Sequence, residues 1–140
     1  MLNKSKETLF IDTSFLKAML DSSDDFHNKA VKTLSTIEKN GNPLVTTNYI
    51  LDEAFTLIRQ RMGVGALKIF REALLQNEWR LKVARTTIQD EENAWDYMLK
   101  DWSNLSFTDC VSFAVMKRLS IQHACTFDSH FSSAGFSTVP

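Results

Sequence analysis

Four acidic residues stand where a chain of this pattern could use them together. Asp12 closes the apolar run Leu9-Phe10-Ile11, and Asp128 closes Ala124-Cys125-Thr126-Phe127. A short apolar run reads as a buried strand, so each carboxylate sits where a strand leaves its sheet. Asp109 follows Thr108 at the start of an apolar helical segment, where the helix dipole favours negative charge. Glu53 lies between Leu51 and Ala54 on the otherwise apolar side of another helical segment, and an acid there is costly unless something compensates for it. Carboxylates gathered in one pocket raise each other's pKa values. A hard divalent cation removes that penalty, and an all-oxygen donor set suits Mg2+ or Mn2+ better than zinc. Such an ion activates water and neutralises charge on a phosphate oxygen. The expected chemistry is hydrolysis of a phosphodiester. Taken singly, each acid has an ordinary explanation as a helix cap, a turn residue, a first-turn acid or a snorkelling surface acid. The four together point to a site.

The elements that must position these acids follow from the hydrophobic pattern. Met1 to Glu7 is polar and reads as loose. After the strand Leu9 to Ile11, Phe15, Leu16, Met19 and Leu20 recur at helical spacing, with Thr13 or Ser14 as the cap. Asp24 or Asp25 can cap a second helix carrying Phe26, Ala30, Val31, Leu34 and Ile37. Gly41-Asn42-Pro43 breaks the chain before a strand, Leu44 to Thr46. Thr47 or Asn48 then caps a helix bearing Ile50, Leu51, Ala54, Leu57 and Ile58. Gly63 and Gly65 separate that helix from another built on Leu67, Phe70, Leu74 and Leu75. Trp79, Leu81 and Val83 alternate with Arg80 and Lys82, the pattern of a half-exposed strand near a sheet edge. Thr87 with Asp90 is a capping-box analogue opening a helix through Ile88, Trp95, Met98 and Leu99. After a loop at Ser103 to Ser106, Thr108 is expected to cap an almost uniformly apolar helix, Val111 to Leu119, which should be central. A buried strand over Ile121 to Phe127, a helical turn and a strand over Phe136 to Val139 finish the chain. Alternating strands and helices imply an α/β fold with a mostly parallel sheet covered on both faces.

The 140 residues read as one domain, 1–140, with 44% hydrophobic and 24% charged residues, a composition that excludes a disordered or fibrous chain. The formal charge of −1 means that a polyanionic partner must be met by a local basic patch. Cys110 and Cys125 form no C-x-x-C pair and are expected to be buried free thiols in a reducing cytosol. No apolar run approaches the roughly 18 residues of a membrane span, and Leu9 to Ile11 is too short for a secretion signal core. The expected location is cytoplasmic.

Four stretches carry a resemblance: Phe10-Ile11-Asp12-Thr13-Ser14, Ile50-Leu51-Asp52-Glu53-Ala54, Ser106-Phe107-Thr108-Asp109-Cys110 and Thr126-Phe127-Asp128-Ser129-His130-Phe131. Across nearly the whole chain the pattern resembles a PIN domain, most closely the small single-domain toxins of the VapC type. The resemblance implies a three-layer, Rossmann-like domain with a mostly parallel central sheet, acting as a metal-dependent ribonuclease through a metal-activated water. Asp12, Glu53, Asp109 and Asp128 would form the acidic quartet around Mg2+ or Mn2+. Asp12 and Asp109 would bind directly, and Glu53 and Asp128 would act through water or a second metal. Thr13, Ser14 and Thr108 would support them by hydrogen bonds. Such toxins are usually homodimers restrained by an antitoxin. Ser120 stands where relatives often have Gly before a strand. Asp52 competes with Glu53 for the second motif, and the longer side chain of Glu53 is preferred.

Other residues have weaker readings. Asp101 is either an outer acid of the site or a loop cap, and His130 either a metal ligand or, preferably, a packed or turn-capping histidine. Trp79, Trp95 and Trp102 read as core or dimer-interface residues rather than platforms for RNA bases. Arg59, Arg61, Lys68 and Arg71 read as solvated helix faces. The alternative function is a non-catalytic PIN-like module that binds RNA or protein. A haloacid dehalogenase-type phosphatase is disfavoured because Ser14 occupies the place of its second acid, and a dinucleotide-binding domain because no G-x-G-x-x-G follows the first strand.

Overall fold

The computed structural model describes residues 6–140, so all but the last two residues of the loose start expected over Met1 to Glu7 lie outside the described residues. Among the described residues, five strands form one parallel sheet in the order β3-β2-β1-β4-β5. They are β1 (Leu9–Ile11), β2 (Leu44–Thr47), β3 (Leu81–Ala84), β4 (His123–Cys125) and β5 (Ser137–Val139). The helices of the described residues flank the sheet: α1 (Thr13–Leu20), α2 (His27–Asn40), α3 (Asn48–Leu75), α4 (Ile88–Met98), α5 (Phe107–Arg118) and α6 (His130–Ser133). β1 and β2 are buried along their whole length, as strands covered on both faces must be. β3, with its alternating sequence, lies at one edge and is only partly covered.

This strand order places the point where the chain reverses direction across the sheet between β1 and β4. In open α/β sheets, ligands bind outside the carboxyl ends of the strands at such a point. The register Leu9↔His123, Phe10↔Ala124, Ile11↔Cys125 brings the ends of β1 and β4 level. α5 supports them from below: Cys110, Val111, Ser112, Phe113, Ala114, Val115 and Met116 are all buried, whereas Leu119, just past its end, is 40% exposed. Cys110 and Cys125 are buried and unbridged, and burial is the main cause that raises their thiols to about 11 and about 12.

Several local expectations change. The third and fourth expected helices are both present as the two arms of α3, separated as expected at Gly63, whose non-helical φ of 88° suits a residue without Cβ, and they follow one another without a loop. Phe26, with no side-chain capping bond, precedes α2, while Asp24 Oδ1 accepts from the Phe26 N–H. The strand expected over Ile121 to Phe127 is paired only at His123–Cys125. α4 buries Asp90, Ala94 and Tyr97, and Arg118 on α5 grips the Asp90 carboxylate through Nε and Nη2, each at 2.9 Å.

Ser120 adopts φ of 56°, in the left-handed region. A side chain there costs energy that glycine avoids, so Ser120→Gly should stabilise the protein by about 1 kcal/mol. A rise in melting temperature of about 3 °C checks this. No change would show that the added freedom of glycine in the unfolded chain cancels the relief.

Candidate metal centre

Asp12 is the first residue beyond β1 and is itself the N-cap of α1, in place of Thr13 or Ser14. Its Oδ1 accepts from the Phe15 N–H at 3.0 Å. The Ser14 hydroxyl donates to the same carboxylate at 2.8 Å, and Thr126 Oγ1 donates to Oδ2 at 2.6 Å. Ser14 Oγ also accepts from the Phe127 N–H, and Thr126 Oγ1 from the Asp128 N–H, both at 2.9 Å. Two hydroxyls thus couple the carboxylate after β1 to the backbone after β4. Asp12 is 3% exposed. Burial dominates its environment and raises it to about 7, against the pull of the Thr126, Phe15 and Ser14 hydrogen bonds and with a smaller push from Asp109.

Asp109 is fixed by a capping box. Ser106, not Thr108, is the N-cap of α5: its hydroxyl accepts from the Asp109 N–H at 3.0 Å, and the Asp109 carboxylate accepts from the Ser106 N–H at 3.3 Å. Burial, then the negative charges of Asp128 and Glu53, raise Asp109 to about 6 against the bonds to Ser106. Glu53 on α3 is half-buried, whereas Asp52 is exposed. Asp101 is also exposed.

Asp128 is half-buried and accepts from the His130 N–H at 2.9 Å. The His130 ring turns back over it, with Nδ1 2.8 Å from Asp128 Oδ1 and 3.9 Å from Asp109 Oδ2. Nε2 lies 2.8 Å from the Ser103 carbonyl oxygen, and the ring stacks nearly parallel to Trp102, at 6.5 Å between centroids and 6° between planes. Burial alone would lower the His130 pKa, but the Ser103 carbonyl, Asp128 and Asp109 outweigh it and the net shift is upward.

Among the described residues, ligand atoms of Asp109, Asp128 and His130 lie within 4.8 Å of one another, so this cluster could hold a metal ion. Asp12 neighbours it, with its oxygens engaged by Ser14, Phe15 and Thr126, and Glu53 acts on Asp109 through charge. Asp109 and Asp128 are thus close neighbours. Of the expected supporting hydroxyls, Ser14 makes the bonds described, the Thr13 hydroxyl is buried without a protein partner, and the Thr108 carbonyl accepts from Ser112. The donor set and the buried Nδ1 of His130 fit a cation. Thr126 and Ser106 are the working groups that sequence reasoning misses. Ser106 was visible in principle, since it stands three residues before Asp109, the same spacing as Thr87 and Asp90.

Comparison with known proteins agrees with this geometry. The PIN domain family matches residues 9–137. The chain is 34% identical over 129 residues, 91% of its own length and 95% of the relative's, to the 23S rRNA-specific endonuclease VapC20 of Mycobacterium tuberculosis, in strains CDC 1551 and H37Rv. The crystal structure of M. tuberculosis VapC20, a sarcin-ricin loop cleaving toxin, superposes with a TM-score of 0.80 at 34% identity, covering 94% of this chain and 98% of that one. FitAcB from Neisseria gonorrhoeae shares the fold, with a TM-score of 0.65 at 14% identity over 94% of this chain and 96% of that one.

Proposed function

The chain belongs to the PIN domain family, and on that premise we propose that it is an RNA-cleaving endonuclease of the VapC toxin type, with residues 1–140 forming one such domain. The observation that carries the reading is the gathering of Asp12 and Asp128, beyond the level ends of β1 and β4, with Asp109 from the first turn of α5, where burial raises Asp12 to about 7 and Asp109 to about 6. Such acids are poor neighbours without a cation, and Asp12, Glu53, Asp109 and Asp128 are the residues proposed to hold Mg2+ or Mn2+. When bound, that ion activates water and neutralises charge on the scissile phosphate. The chain's own part is placement. Asp109 and Asp128 present closely spaced oxygens, Asp12 ties the two strand ends together, and Glu53 adds negative charge from α3.

Other features support RNA as the substrate. Lys100, Lys117 and Trp102 line, together with the Arg118–Asp90 pair and Asp96, a cavity of about 860 Å3, and Trp102 on its wall stacks on His130. Cations beside an aromatic face suit a single-stranded backbone and its bases. Ribosomal RNA is the first substrate to test, given VapC20. Ile88, Trp95 and Leu99 follow one another by 7 and 4 residues (95 − 88 and 99 − 95), which is one helical face, and are 78%, 52% and 80% exposed. An uncovered apolar face of this kind favours a protein contact, a second copy or an antitoxin. No helix among the described residues is long and apolar enough to cross a membrane, in keeping with the proposed cytoplasmic location.

The purified protein should cleave ribosomal or total RNA in millimolar Mg2+ or Mn2+ and stop when EDTA is added. RNA binding without cleavage in either ion would favour the non-catalytic reading.

A further inference from the structure

The His130 ring is held as a metal-ligating imidazole is held. A carbonyl oxygen can only accept, so Nε2 must be the donor to Ser103 at 2.8 Å. In the neutral ring this leaves the lone pair on Nδ1. That atom is buried with no hydrogen-bond partner, yet it lies 2.8 Å from Asp128 Oδ1 and 3.9 Å from Asp109 Oδ2. So close an approach of Nδ1 to carboxylate oxygens is favourable only with a positive charge between them, either a proton on Nδ1 or a metal ion shared by the three groups. The rest of the surroundings restrict the ring: Trp102 lies parallel to it, and the Asp128 turn fixes its backbone. A carbonyl on the remote nitrogen and a ring fixed in orientation are the usual outer partners of a histidine ligand.

We propose that His130, through Nδ1, is a third protein ligand to the divalent cation at Asp109 and Asp128, and that it biases the site toward Mn2+ over Mg2+. This rests on the metal-dependent nuclease reading and adds a nitrogen donor to what that reading treats as an all-oxygen site. Mg2+ demands oxygen donors and dehydrates reluctantly, whereas transition metals accept imidazole together with carboxylate. The Asp109, Asp128 and His130 ligand atoms already lie within 4.8 Å of one another, so small side-chain movements suffice to close on one ion.

The test uses Mn2+ alone, added to the intact protein without RNA, and reads electron paramagnetic resonance. Pulsed measurements on the wild type should show a directly coordinated 14N, replaced by 15N when histidine is isotopically labelled. His130→Gln should lose that coupling, bind Mn2+ about tenfold more weakly and change less in Mg2+ affinity. Mn2+ bound by the wild type with no coordinated nitrogen, or a coupling that survives His130→Gln, overturns the proposal while leaving the metal site intact. Failure of Mn2+ to bind overturns both. The wild-type spectrum decides the matter even if the variant does not fold.

Discussion

Asp109→Asn should reduce RNA cleavage by about a thousandfold, the scale on which a single electrostatic group at a reacting centre acts, while making the metal-free protein more stable. The two effects share one cause. Asp109 is pushed up to about 6 by burial and by the charges of Asp128 and Glu53, so at pH 8 the folded protein holds an anion it does not favour. Removing the charge relieves an amount on the order of 1–3 kcal/mol. The amide can still accept from the Ser106 N–H, so the capping box need not be lost. RNA cleavage and calorimetry at pH 8 in EDTA measure both sides. Lost activity with a raised or equal melting temperature assigns Asp109 to the chemistry. Lost activity with a lowered one would make it a structural cap, and undiminished activity would remove it from the site.

That opposition between stability and function explains why parts of the site were legible in the sequence. β1 was readable to the residue, since Leu9-Phe10-Ile11 is an apolar run with an acid at its end. An acid after a buried strand conflicts with local preference, and Asp12 and Asp128 stand out for that reason, as Glu53 does on the apolar side of a helix. The α5 cap was misplaced by two residues because Thr108 and Ser106 are both competent caps, and only the box with Asp109 decides between them.

What could not be read is long-range. Thr126 matters because β4 lies beside β1, which lets one hydroxyl donate to Asp12 and accept from the Asp128 N–H. No local pattern encodes that adjacency. The role of His130 is hidden in the same way. Its neighbour Asp128 suggests a turn cap, and the turn exists, but the ring's position depends on Ser103 and Trp102, 27 and 28 residues earlier (130 − 103 and 130 − 102). The kink at Gly63 shows the converse limit: glycine signals a break, while packing decides whether the helix resumes at once.

Without a divalent cation, stability should fall as pH rises from about 4 to about 7. Asp12 has an ordinary value near 3.8 and stands at about 7 in the folded protein. Between those values the folded state keeps a proton that the unfolded chain has released, so each rise in pH favours unfolding. The contribution is complete below 3.8 and gone above about 7, and a shift of this size corresponds to something on the order of 4 kcal/mol. Asp109 acts in the same sense up to about 6. Asp21, Asp24 and Asp90 are shifted downward, so their stabilisation is lost only at more acidic pH, outside this window. A cation binds the ionised carboxylates and should reverse the loss, by about 2.7 kcal/mol at a hundred times its Kd. Calorimetry in EDTA from pH 4.5 to 7.5, repeated with millimolar Mn2+ or Mg2+, checks each part. Wild-type protein should lose melting temperature across the range in EDTA and recover it with metal, and Asp12→Asn should flatten the profile. A level wild-type profile in EDTA would mean that Asp12 is ionised throughout, and the electrostatic case for a cation among these acids would lapse.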